Sequence, residues 1–274
     1  MNILKKNYIL SGTSIPSSFN SSEMLYFHYF YNIYQIITMK NTFAFISLLI
    51  SSFVSYSQSL KEQYKEQAAL HFYKEEFKES LDCYNQIIKL YPKDTIAYNF
   101  RGQLYELLHD YKKAIADYSK AISLYPTFAD SYFFRAMVKE KIKNHKGAIQ
   151  DYTNTIKYEP TNSDAYYFRG LNKVSLKNYV GVMDDYTNAI KTRPDHAEVY
   201  ADRGWLEELF KNFKNALTDY DKAIELSNSN PEFYIRRGKL KLKMGQQQSA
   251  CEDFNKCCEL DNKYIYKIPK TNCN

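Results

Sequence analysis

The sequence predicts an all-α protein, a solenoid of stacked helix pairs, and three observations carry that expectation. Prolines stand at 92, 126, 160 and 194, each 34 residues after the last. Counting in both directions from them gives six contiguous units: 61–94, 95–128, 129–162, 163–196, 197–230 and 231–264. A tandem period of this length marks supersecondary units that bury their apolar faces only by stacking on neighbours. Composition agrees, because 27 Tyr with one Trp, and only 8 Gly and 7 Pro, suit helices packed through aromatic contacts rather than a turn-rich sheet. Within each unit, small and aromatic residues recur at fixed places, as two close antiparallel helices require.

Ahead of the units lies a leader. Residues 11–22, rich in Ser and Thr, read as linker, and residues 24–38 as aromatic-rich filler. The stretch 39–57, MKNTFAFISLLISSFVSYS, has the layout of an export signal. Lys40 supplies the positive start, Phe43 to Val54 the apolar run, and Ser55 and Ser57 the small residues before a cut at Gln58. The run is short for a membrane span, which needs about 20 apolar residues. No Cys follows it closely, so nothing supports a lipid anchor. Translation is expected to start at Met39, with residues 1–38 a non-native or disordered extension. The mature protein is expected to be periplasmic or secreted, membrane tethering being the weaker alternative.

The formal charge of +6 falls to +4 without residues 1–57, which carry Lys5, Lys6 and Lys40 against Glu23, leaving 34 basic and 30 acidic residues. The charges are interleaved and form no basic stripe, so nucleic acid is not an expected partner.

Each unit places Tyr at its fourth position, from Tyr64 to Tyr234, and Gly or Ala at its eighth, from Ala68 to Gly238. The twentieth position is small except at Val182, and the twenty-fourth is aromatic from Tyr84 to Phe254. Two helices approach closely where bulk is missing, and an aromatic then wedges between units. Proline near the end stops the second helix, since it lacks the amide hydrogen and clashes with the preceding turn. The last two units have Asn228 and Asn262 instead, and Asn230-Pro231 reads as an N-cap followed by Pro in the first turn.

Arg fills the seventh position of units two to six, as Arg101, Arg135, Arg169, Arg203 and Arg237. Asp fills the twenty-third in the same units, as Asp117, Asp151, Asp185, Asp219 and Asp253. The first unit has Gln67 and Cys83, so both charges are missing together. Pairing across the two helices of a unit, fixing their register, is the expected role, because a buried Arg needs a carboxylate.

This pattern over residues 61–264 resembles the tetratricopeptide repeat family, and with the export signal the chain is similar to exported bacterial envelope members. The resemblance implies a right-handed superhelix whose first helices line a concave groove. It also implies that the second, fifth, sixth, ninth, twelfth and thirteenth positions face that groove. Carried over, they give an apolar, aromatic floor of Phe100, Phe133, Phe134, Met137, Tyr167, Phe168, Leu171 and Trp205. The basic and Asn positions with which some members grip a C-terminal carboxylate are largely missing: Ala69 stands where Asn is expected and Asp130 where Lys is.

Five Cys remain, of which Cys251, Cys257, Cys258 and Cys273 lie in the last unit and the tail 265–274. In an exported protein Cys273 could pair with Cys251 to pin the tail, Cys257 and Cys258 being alternative partners, and plain buried thiols are the other reading. The five His are scattered without metal-ligand spacing, and no phosphate loop or nucleophile elbow is present. The expected protein is therefore not an enzyme and carries no cofactor or metal. It is a scaffold that binds an extended peptide or an apolar protein surface. Alternatives are a self-assembling structural component of the envelope, or an accessory protein holding a glycan or lipid.

Overall fold

The computed structural model describes residues 21–269 of the chain. They fall into two units, residues 1–66 and 67–274. Helix α1, Ser21–Tyr73, begins in the first and ends in the second. The segment read as linker and filler is thus helical from Ser21 onward, and its earlier part lies outside the described residues. The signal-like stretch also lies within α1, where Ile46, Leu48, Leu49, Ile50 and Val54 are exposed rather than packed in a core. No described helix is long and apolar enough to cross a membrane.

Beyond α1 come α2 Phe77–Leu90, α3 Thr95–Leu107, α4 Tyr111–Leu124, α5 Ala129–Lys141 and α6 His145–Tyr158. They are followed by α7 Ser163–Ser175, α8 Val182–Thr192, α9 Ala197–Leu209, α10 Phe213–Leu226, α11 Pro231–Lys243 and α12 Gln247–Leu260. A 3-10 helix, Asn262–Lys267, closes the described chain, and no strand occurs among the described residues. From residue 95 onward each 34-residue unit is one helix pair, and α2 and the five pairs that follow it stack in order as a solenoid.

The turn inside each pair repeats to the atom. The amide of the sixteenth residue donates to the carbonyl of the eleventh, and the fifteenth to the twelfth, as in Asp110 to Tyr105 and His109 to Glu106. This pair of hydrogen bonds satisfies two carbonyls that a helix end leaves open, and it needs a left-handed residue at the fifteenth place. Glu75, His109, Lys143, Lys177 and Lys211 occupy it with φ between 55° and 64°, and Gly245 at 75°. Asp110 and Asn144 then cap the second helix by accepting from the amides of Lys113 and Gly147. Between pairs, Asp94, Asn162 and Asn230 cap α3, α7 and α11.

The core is periodic. Tyr118, Tyr152, Tyr186, Tyr220 and Phe254 are its largest fully buried side chains. A Cβ on Gly102, Gly170 or Gly238 would stand 2.8, 2.6 and 2.6 Å from the ring facing it, so these positions admit the aromatic wedge only without a side chain. The fourth unit departs from the pattern. Its second helix starts at Val182, three residues late, after Gly181 with φ +68° and Val180 largely exposed. At the tenth position of that unit, where Leu104, Val138, Leu206 and Leu240 are buried, stands buried Asn172. Its amide donates to Glu140 and to the carbonyl of Phe168, and its oxygen faces Nδ1 of His145 at 2.8 Å.

Candidate interaction groove

The Arg and Asp pairs set the register of the helices that carry the groove residues. Arg101 meets Asp117 through Nε and a terminal nitrogen, both at 2.7 Å. The same two-pronged contact joins Arg135 to Asp151, Arg169 to Asp185, Arg203 to Asp219 and Arg237 to Asp253. Each Arg has a third tie that the sequence did not disclose. Its remaining nitrogen donates to the twenty-fifth residue of the preceding unit: Asn85, Ser119, Thr153, Thr187 and Asp221 in turn. Each guanidinium also lies over the Tyr three residues earlier, 5.5 Å away for Tyr98 and 5.7 Å for Tyr132, Tyr166, Tyr200 and Tyr234. The fourth and seventh positions are therefore one device, a cation stacked on an aromatic face. Lys139, Lys173 and Lys241 add a second cation to Asp151, Asp185 and Asp253.

On the first helices the aromatic row is half-buried, because it also packs between units. Phe100, Phe134 and Phe168 stack on Tyr84, Tyr118 and Tyr152 of the preceding unit, with ring centroids 5.6, 6.1 and 5.9 Å apart. Phe133 and Met137 pack with Phe168 against the cluster around Tyr152. Tyr167 and Trp205 pack against the cluster around Tyr186, and Leu171 is partly buried. Phe100 is the most open of the eight, at 43% exposure.

Beyond Phe168 the row changes chemistry. The sixth position becomes Asp202 and then Arg236, which pair at 2.7 Å, while Asp202 accepts the Tyr167 hydroxyl at 2.8 Å. Burial, followed by the charge of Asp202, pushes the Tyr167 phenol far above its ordinary range. Arg236 also meets Glu232, and Glu232 meets Lys267 of the terminal 3-10 helix. His196 lies edge-on to Tyr167 at 5.0 Å and touches Arg193, which bridges to Asp164.

Among the described residues, cavities border the first helices at both ends of the repeat array. One, of about 330 Å³, is lined by Ala68, Ala69, Phe72, Tyr84, Phe100 and Leu104 among others. The second, of about 560 Å³, is lined by Trp205, Glu208, Tyr220, Arg236, Lys239 and Pro269 among others. Cys83 and Cys257 are buried free thiols and Cys258 is half-buried. Cys251 is buried, and its expected partner Cys273 lies outside the described residues. Among the described residues no group of His, Cys, Asp or Glu is arranged to hold a metal ion.

The class these features define is an α-solenoid of helix-pair repeats with an aromatic row along its first helices. Family profiles described as "Tetratricopeptide repeat" match residues 95–128 and 231–264, and one described as "TPR repeat" matches 211–245. The stretches 95–128 and 211–264 are thus matched as tetratricopeptide repeats. No curated protein sequence matches the chain. Among solved structures, the chain is similar to MamA, with 20% identity and TM-score 0.58 over 63% of this chain and 94% of that one. It is similar to YrrB, described as a TPR protein with an unusual peptide-binding site, with 18% identity and TM-score 0.60 over 66% and 94%. It is also similar to Pseudomonas aeruginosa pilF, with 12% identity and TM-score 0.65 over 75% and 94%. At these identities the likeness is one of fold.

Proposed function

We propose that the protein is a binding scaffold, not a catalyst, and that it holds an extended peptide or an apolar protein surface along its first helices. The observation that carries this reading is the row Phe100, Phe134 and Phe168, each stacked on the unit before it and each still open on one side. Such rings are preorganised, so a ligand that buries them meets little ordering cost. The peptide-binding site in the description of YrrB agrees with this use of the fold. Preparation for export through residues 39–57 and pinning of the tail by Cys251 and Cys273 belong to the same reading. In support of the second, Cys83, Cys257 and Cys258 are the free thiols among the described residues, and Cys251 is not one of them.

Because Phe134 and Phe168 are also packing residues, their removal would confuse stability with binding. Leu171 is partly buried and belongs to none of the buried core clusters. The test is capture of partner by Leu171→Glu, against Lys157→Glu on α6 as control. Loss of capture in Leu171→Glu with unchanged melting supports the groove; equal capture by both refutes it.

A further inference from the structure

The cavity beside the last repeat is built differently from every other part of the groove. At the ninth position the units carry Ala69, Gln103, Met137, Leu171 and Trp205, and then Lys239. Lys239 and Trp205 line the cavity together with Leu242 and Tyr220, and Pro269 of the tail supplies a wall that no repeat could. The tail is held there by Tyr264 and Ile268, which pack on the core of the last two units, and by Lys267 on Glu232 at 3.4 Å.

The charges in and around this cavity are nearly all engaged. Lys243 meets Glu208 at 2.5 Å, and Arg236 meets Asp202 at 2.7 Å and Glu232 at 3.4 Å. Lys239 alone makes no ion pair or hydrogen bond among the described residues, although it is partly buried. Four cations, Arg236, Lys239, Lys243 and Lys267, thus face three carboxylates, Asp202, Glu208 and Glu232. A partly buried ammonium without a counter-ion, next to an indole and a leucine, matches an anionic group attached to an apolar one.

Resting on the groove reading above, we infer that the cavity between Trp205 and Lys239 receives an acidic side chain of the bound segment, with an apolar neighbour against Trp205. The site reads the interior of a chain, and a free C-terminal carboxylate is not needed. The acidic class of residue follows from the one unpaired cation, and the apolar neighbour from the Trp205, Leu242 and Pro269 walls.

Trp205 is the only Trp of the chain, so its fluorescence reports occupancy of this cavity directly. The probes are two peptides amidated at the C-terminus, one alternating Leu with Glu and one alternating Leu with Gln, titrated into the full chain. The Glu peptide is expected to bind about tenfold more tightly at low salt, an advantage that shrinks as salt screens it. In Lys239→Gln that advantage disappears, and in Lys239→Arg it is kept. Equal binding of both peptides, or an advantage that survives Lys239→Gln, would overturn the inference. Displacement of the Glu peptide by millimolar inorganic phosphate would also overturn it, by assigning the site to phosphate. Equal binding that Leu171→Glu weakens would leave the groove reading standing, whereas failure of both peptides to bind would contradict the two together.

Discussion

Arg203 and Asp219 meet across the two helices of the fifth repeat through two hydrogen bonds of 2.9 and 2.7 Å, and among the described residues no second cation reaches that carboxylate. The equivalent carboxylate of the third repeat, Asp151, is shared by Arg135 and Lys139, each at 2.7 Å. Both carboxylates are buried. The difference decides what an Arg deletion leaves behind.

Arg203→Met should therefore strand a buried carboxylate and cost roughly 3–5 kcal/mol, the range for breaking one side of a buried pair. Arg135→Met should cost distinctly less, since Lys139 still neutralises Asp151. The double variant Arg203→Met with Asp219→Leu should recover much of the loss, because the uncompensated charge is gone. Denaturant midpoints of the four proteins test the ordering. Repeat arrays can depart from two-state unfolding, so midpoints are compared rather than extrapolated energies.

Two kinds of glycine position separate packing from backbone effects. Gly170→Ala puts a Cβ 2.6 Å from the Tyr186 ring and should cost about 1–3 kcal/mol by overpacking. Lys211→Gly should act in the opposite direction, stabilising by about 0.5–1 kcal/mol, because Lys211 holds a left-handed φ of 64° that costs any residue with a Cβ. Thermal melts of both variants give the two signs.

His196 is held below its ordinary value first by burial and then by the charge of Arg193, with Glu198, Asp164 and Asp195 working against them. A depressed folded value means that the unfolded chain binds the proton more readily. Stability is then fully present above the ordinary His value of about 6.5 and declines as pH falls below it. His196→Asn should flatten the decline in melting temperature between pH 7.5 and 5.5, a change read by paired melts across that range.

Burial pushes the Cys257 thiol up to about 11 and raises that of Cys83 as well. Thiolate is the reactive form, so both should resist alkylation in the folded protein. Iodoacetamide at pH 8 should modify half-buried Cys258 first, which peptide mass mapping resolves.

Much of the fold was legible because a 34-residue period exposes itself. Prolines, the Gly or Ala opposite each wedge ring, and the paired Arg and Asp all sit at fixed offsets, and the structure places them accordingly. What remained hidden was contact between units. Nothing in one repeat discloses that Arg135 also reaches Ser119, or that the Tyr three residues before each Arg lies beneath it. The left-handed fifteenth position is hidden in the sequence because Glu, His and Lys occupy it in five repeats and Gly only in the last. The aromatic row is legible, and so is the alternative that some of its rings pack between helices, but not which ring covers which: Tyr118 and Tyr152 of the preceding second helices cover one face of Phe134 and Phe168. Lys239 is not legible in the sequence because only its surroundings make it unusual, and those include Pro269 from the tail.

The most direct measurement places a photocrosslinking amino acid at Leu171 on α7, and separately at Lys157 on α6, in the full chain exposed to the Leu and Glu peptide. Crosslinks from position 171 and none from 157 are the expected result, with Phe100, Met137 and Trp205 positions following 171. Crosslinks from 157 alone, or equal yields from both helices, would contradict binding along the first helices.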